Sequence, residues 1–258
     1  MDETPSPAPR EGTMPRSDRV RTGMVLAAGR GTRLAAIPDL PPKPLVAVGG
    51  KPLIDHAIDL LASAGVERVV VNTHHRAELI EAHLARRSAP EIAISREADL
   101  LDTGGGVKNA LPLLGEEPFF VTNSDLIWEV GAERALERMA AVWDPERMDA
   151  LLLLYPTVRT FGYAGQGDFL CDPAGRLTRR PEWAVAPFLY TGVQLIHPRV
   201  FEGTPGGAFS FNRIWDAVQE AERLYGIVHD GIWLDAGTPA RLERARTEMG
   251  EAGQGRLF

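Results

Sequence analysis

The segment Met24–Leu34, MVLAAGRGTRL, closes an apolar run with two glycines two residues apart and then places Thr32 and Arg33. Lacking side chains, Gly29 and Gly31 let a ligand come close to the backbone. The amides from Ala27 and Ala28 onward, with Thr32 and Arg33, suit phosphate oxygens. Gly-x-Gly on its own also fits a tight strand-to-helix turn that binds nothing. In PPKPL, Lys43 sits between prolines that restrict the backbone. An ammonium held there is a point charge for a phosphate, although a solvated surface lysine reads the same way. LLDTGGGVKNAL brings Thr103 and then Gly104, Gly105 and Gly106 to the start of a helical pattern. That is room for a flat ligand against the backbone, or a flexible connector. Asp125 in VTNSDL and Asp235 in IWLDAGT each follow an apolar run, where an unpaired carboxylate is costly to bury. Two carboxylates and phosphate oxygens together suit Mg2+; singly, each also reads as a cap or turn former.

Other chemistries find less support. His74 and His75 are adjacent and share no helix face, and the six histidines show no zincin-like spacing. Cys171 is the single cysteine, so no disulfide forms within the chain. It reads as a small apolar filler, and a reducing cytoplasm is expected. A formal charge of −7 argues against a nucleic-acid partner without excluding anionic substrates. No apolar run approaches the ~20 residues that cross a membrane. No heptad or long apolar edge points to an oligomer, so the oligomeric state is not readable.

The elements that must position these residues alternate along the chain. A strand near Met24–Ala27 precedes the glycine turn, and helical spacing from Leu53 to Leu61 stops at Gly65. A buried strand in ERVVVNT, a helix over Ala77–Ala85 and a strand over Glu91–Ser95 follow. Next come a helix over Gly105–Leu114, a strand ending at Asp125, a helix over Ala132–Val142 and a strand in DALLLLY. This alternation predicts an α/β fold, a Rossmann-like, mainly parallel sheet with helices on both faces, which binds ligands at strand carboxyl ends. The second half predicts a smaller antiparallel elaboration. It holds a hairpin around Asp172–Gly175, a long strand over Phe188–His197, a helix over Asn212–Arg223, and a last helix capped by Thr238 with Pro239 at its first position. The expected organisation is a disordered leader over 1–19 with no signal peptide, a single domain over 20–250, and a tail over 251–258.

LAAGRGTRL, PKPLVAVGGKPLI, NSD and WLDAGTPARL, in that order, resemble the sugar-phosphate nucleotidyltransferases, from about Thr22 to Glu248. The resemblance implies the nucleotide-diphospho-sugar transferase fold. It also implies a nucleotide-binding half of about 20–155 and a sugar-binding half of about 156–250. It assigns Ala27, Ala28, Gly29, Gly31, Thr32, Arg33, Lys43, Thr103, Gly104, Gly105 and Asn123 to the nucleotide. Arg33, Lys43 and Asp125 become the catalytic group, with Asp125 and Asp235 on Mg2+. YTGV carries Thr191 and Gly192 near the sugar. Many relatives have Glu-Lys-Pro where this chain reads TRRPEW, so Arg179 or Arg180 stands at the sugar-phosphate lysine.

A sugar 1-phosphate is already an anionic nucleophile, so attack on the α-phosphorus of a nucleoside triphosphate needs positioning and charge neutralisation but no general base. LLDTGGGVKNALPLLG and GIWLDAGTPARLERA are most similar to the uridylyltransferase branch that uses N-acetylmuramic acid 1-phosphate in cell-wall sugar recycling. Guanylyl transfer to mannose 1-phosphate is the alternative. A non-catalytic nucleotide sensor on the same fold is a second, disfavoured by the presence of Arg33, Lys43, Asp125 and Asp235. A dinucleotide oxidoreductase would require Gly-x-Gly-x-x-Gly, and Leu34 occupies its sixth position.

Overall fold

The computed structural model describes residues 20–254 apart from 35–36, 129–131, 161–162 and 164. The leader expected over 1–19 and the tail residues 255–258 lie outside the described residues.

Strands β1 (Thr22–Leu26), β4 (Arg68–Thr73), β5 (Glu91–Arg96) and β6 (Phe119–Asn123) pair in parallel, in the order β6-β1-β4-β5. Parallel strands covered on both faces read as continuous apolar runs, and Val69, Val70 and Val71 have no exposed surface. Helices α1 (Leu53–Ser63), α2 (Ala77–Leu84) and α4 (Ala132–Val142) cover one face through Ile58, Ile80, Leu136 and their neighbours. Helices α3 (Asp102–Leu114) and α5 (Phe211–Glu220) cover the other through Val107, Leu114, Ile214 and Trp215.

The second half contributes to this sheet as well as decorating it. β11 (Phe188–Ile196) lies antiparallel beside β6, β8 (Ala150–Pro156) lies antiparallel on its other side, and β12 (Leu224–Val228) runs parallel to β8. Two small antiparallel units complete the elaboration. One is the hairpin of β9 (Phe169–Cys171) and β10 (Leu177–Arg179), which joins β11 at Phe169. The other pairs β7 (Leu126–Trp128) with β13 (Trp233–Asp235), setting Asp235 opposite Leu126. A two-residue ladder of β2 (Ala47–Val48) and β3 (Lys51–Pro52) leads into α1.

A third apolar cluster lies beneath the carboxyl edge of the sheet. Leu34, Val46, Leu53, Ile127, Ala236 and Leu242 bring together the glycine turn, the lysine segment, β7 and the last helix, α6 (Pro239–Gln254). Burial of these side chains, each worth about 1.5–3 kcal/mol, docks chain segments that are far apart in sequence onto one rim.

Candidate active site

A cleft of about 480 Å³ opens at the carboxyl ends of β1, β4, β5 and β6. Ala27, Ala28, Gly29, Gly31, Thr32, Arg33, Lys43, Thr103, Asn123 and Asp125 line it, as do Asn72, Glu97, Leu100, Asp102, Ser124 and Gly237. Most of the residues that the sequence assigned to a nucleotide therefore share one wall-to-wall space.

The glycine turn is built for approach. Gly31 adopts φ +63°, the Leu34 amide donates to its carbonyl at 2.9 Å, and a Cβ there would lie 3.1 Å from Lys43 Cβ. A Cβ on Gly29 would meet no atom within 4 Å, so that position faces open space. The Ala27 amide donates to Asn72 Oδ1 at 2.8 Å, and Asn72 Nδ2 donates to Glu97 Oε1 at 2.7 Å. Glu97 Oε2 accepts the Leu101 amide at 3.0 Å. Asn72 and Glu97 are buried, and their bonds tie the turn to the start of α3. Sequence reading gave neither a role. The available signal was their place at the carboxyl ends of β4 and β5, the rule that singled out Asp125.

The glycine triplet serves a different contact from the one expected. Helix α3 begins at Asp102, so Gly104, Gly105 and Gly106 lie inside it and are buried. The Gly104 and Gly105 amides both donate to the Phe209 carbonyl, at 2.9 and 3.0 Å. A Cβ on Gly104 would sit 2.6 Å from the Phe209 ring, and one on Gly105 would sit 2.3 Å from the Gly207 carbonyl oxygen. The backbone being approached there is met by the chain's own 207–209 segment. Thr103 lines the cleft, and its Oγ1 accepts the Phe211 amide at 3.0 Å at the start of α5.

The two aspartates meet around Gly237. The Ala236 amide donates to the Asp125 carbonyl at 2.9 Å. A Cβ on Gly237 would lie 2.9 Å from Asp235 Oδ1 and 3.6 Å from both Asp125 Oδ2 and Arg33 Nη1. Only glycine leaves this space open between the carboxylates: Asp125 and Gly237 line the cleft, while Asp235 borders a separate recess and reaches the cleft only at Gly237. A pair of hard oxygen donors on either side of that gap fits a divalent cation such as Mg2+. Asp125 is ion-paired with Lys43, and Asp235 with Arg241.

Of the residues expected near the sugar, Gly192 abuts Asn123 of the nucleotide wall, while Thr191 and Arg180 do not line that cleft. Thr191 is buried, with Oγ1 donating to the Leu153 carbonyl at 2.8 Å. Gly192 adopts φ +91° at the bulge of β11, where a Cβ would lie 2.8 Å from Asn123 Nδ2. Arg180 borders a second cavity, of about 300 Å³, with Asp168, Arg179, Tyr190, Asn212 and Trp215. Its guanidinium donates to the carbonyls of Gly167, Pro181, Glu182 and Ala184 at 2.8–3.0 Å. Arg179 pairs with Asp216 at 2.6 Å.

The chain is similar to known proteins along most of its described length. The family model for nucleotidyl transferase matches residues 22–251. The N-acetylmuramate alpha-1-phosphate uridylyltransferase of Caulobacter vibrioides is 42% identical, over 92% of this chain and 100% of its own length. The enzyme of the same name from Neisseria meningitidis is 36% identical, over 88% of this chain and 97% of its own. Mannose-1-phosphate guanyltransferases are more distant. Among solved structures, the inositol-1-phosphate CTP transferase from T. maritima superposes with a TM-score of 0.72 at 19% identity, covering 93% of this chain and 98% of that one.

Proposed function

The chain belongs to the nucleotidyl transferase family, and from that premise we propose that it joins UTP and N-acetylmuramic acid 1-phosphate into the nucleotide sugar with release of pyrophosphate. The observation that carries the reading is the convergence of the open glycine turn, Arg33, Lys43 and Asp125 on one cleft. The similarity to uridylyltransferases in both size and sequence supports the substrate pair.

The residues divide the work as follows. The Gly29–Thr32 turn admits the triphosphate to the backbone, and Arg33 and Lys43 neutralise it as negative charge moves onto the departing pyrophosphate. Asn72 and Glu97 hold that turn at a fixed distance from α3, so the α-phosphorus is presented without backbone reorganisation. Asp125 and Asp235 would hold Mg2+, which supplies charge neutralisation at the phosphates when bound. The sugar phosphate oxygen is the nucleophile, consistent with a cleft that offers no activated serine or cysteine among its lining residues. Thr191 shapes the sugar half by fixing β11 against Leu153 of β8, and Gly192 does so by leaving room for the Asn123 side chain. Arg180 acts there by holding the 181–184 turn through Nη1, with Nε on the Gly167 carbonyl. The halves of about 20–155 and 156–250, and a cytoplasmic setting, form part of this proposal. Among the described residues no helix is long and apolar enough to cross a membrane.

A panel assay tests it: each nucleoside triphosphate with Mg2+ and a set of sugar 1-phosphates, following pyrophosphate. UTP with N-acetylmuramic acid 1-phosphate is expected to give the highest kcat/KM. GTP with mannose 1-phosphate winning would move the chain to the alternative branch. No pyrophosphate from any pair would return it to the sensor reading.

A further inference from the structure

Arg241, in the first turn of α6, touches Asp235 of the carboxylate pair from outside the nucleotide cleft. Its Nη1 donates to Asp235 Oδ2 at 2.6 Å, while the Gly237 amide donates to Oδ1 at 3.0 Å. With both oxygens engaged, and only 12% of the Asp235 side chain exposed, the carboxylate is held in one orientation. Arg241 and Asp235 share a recess of about 20 Å³, separate from the nucleotide cleft, that also borders Thr160, Trp233 and Arg244.

The charges around the pair set its appetite for cations. Asp125 is matched by Lys43, Asp235 by Arg241, and Arg33 Nη1 also borders the gap at Gly237. These three cations at the gap, with Arg244 also on the recess and Glu97 and Asp102 farther along the cleft wall, offset the attraction of the two carboxylates for a bare divalent cation. A triphosphate reverses this balance, because its oxygens add negative charge and compete for Lys43 and Arg33. We propose that Arg241 is a positioning residue that fixes Asp235 and keeps the carboxylate pair from taking a divalent cation until the nucleotide is bound. The inference rests on the reading of Asp125 and Asp235 as the metal pair.

Its test is Mn2+ binding to the full chain, measured by electron paramagnetic resonance with and without UTP. Without nucleotide, Arg241→Gln is expected to bind Mn2+ about fivefold tighter than the wild type, the scale of one partly exposed ion pair. Arg241→Lys restores the charge and returns binding toward the wild-type level. Adding Asp235→Asn to the glutamine variant abolishes the gain. A glutamine variant that binds Mn2+ no tighter than wild type overturns the inference, as does a wild type that binds Mn2+ equally well with and without UTP. Asp235→Asn alone separates the two levels. Unchanged pyrophosphate release there removes the metal-pair reading and the inference with it, whereas lost release without any Mn2+ gain in Arg241→Gln removes the inference alone.

Discussion

Lys43 reaches across the cleft to pair with Asp125, 82 residues away in the chain, with each side chain only 15% exposed. Pro42 and Pro44 make this contact possible by restricting the backbone around the lysine, whose segment forms a short 3-10 turn. Under the proposed function, a nucleotide entering the cleft would take over the ammonium and leave the carboxylate to hold the metal. Lys43→Met, which keeps the stem and removes the charge, should therefore lower kcat/KM by about 10²–10³. Pyrophosphate release against UTP concentration measures it, and a variant within twofold of wild type would remove Lys43 from the phosphate site.

Asp125→Asn separates charge from shape. The asparagine keeps the side-chain volume, and the residue 125 carbonyl still accepts the Ala236 amide that binds β7 to β13. The melting temperature should stay within a few degrees, while Mg2+-dependent turnover falls by about 10² or more. A magnesium titration of the two proteins decides the matter. Full turnover at elevated magnesium would mean that the carboxylate aids affinity alone.

Two glycines that look alike in sequence should respond differently. At Gly29 a methyl group meets no protein atom within 4 Å, so Gly29→Ala should leave stability nearly unchanged and raise the KM for UTP. At Gly104 the same methyl group collides with the Phe209 ring at 2.6 Å. Gly104→Ala should cost about 1–3 kcal/mol of stability, read as a lower urea midpoint. Equal urea midpoints for the two variants would show that the 207–209 segment yields freely.

The contrast between those glycines marks where sequence reading reached its limit. Gly29, Gly31 and Asp125 could be placed on the crevice because a local rule applies: polar or glycine residues at the carboxyl end of a parallel strand border it. Asp235 ends a strand of the small β7–β13 ladder and meets the crevice only through Gly237. What approaches a glycine is not local. The partner of Gly104 lies 105 residues on, and spacing alone does not distinguish a base from a phenylalanine. The insertion of β11 between β6 and β8 is hidden for the same reason, since its apolar pattern states burial but not its neighbours. Arg180 shows a third limit. The resemblance leaves Arg179 or Arg180 at the position of a sugar-phosphate lysine, yet which acceptors a guanidinium meets depends on how the following turn folds back over it.

His229 should make stability depend on pH in a window set by the imidazole. Its ring is fully buried, edge-on to Trp128 with centroids 5.0 Å apart, beside Tyr155 and close to the β7–β13 ladder that carries Asp235. Burial pushes its pKa below the ordinary 6.5, and burial pushes His56 and His197 down as well. Below pH 6.5 the unfolded chain takes up protons that the folded chain resists, so stability is fully present above that value and drains away as pH falls toward the folded-state values. The loss is at most about 1.4 kcal/mol per pH unit for each histidine. Asp59 does not confuse this window. Burial pushes its carboxyl up, but hydrogen bonds from Lys51 and Arg87 outweigh this and hold it below its ordinary 3.8, so its contribution is lost only in stronger acid. Urea midpoints should be level above pH 7 and fall between pH 6.5 and 5. In His229→Phe, which keeps an aromatic ring in the gap but cannot take a proton, the slope should shrink and leave the share of His56 and His197. A slope as steep as the wild type's would show that the buried ring contributes nothing to the acid response.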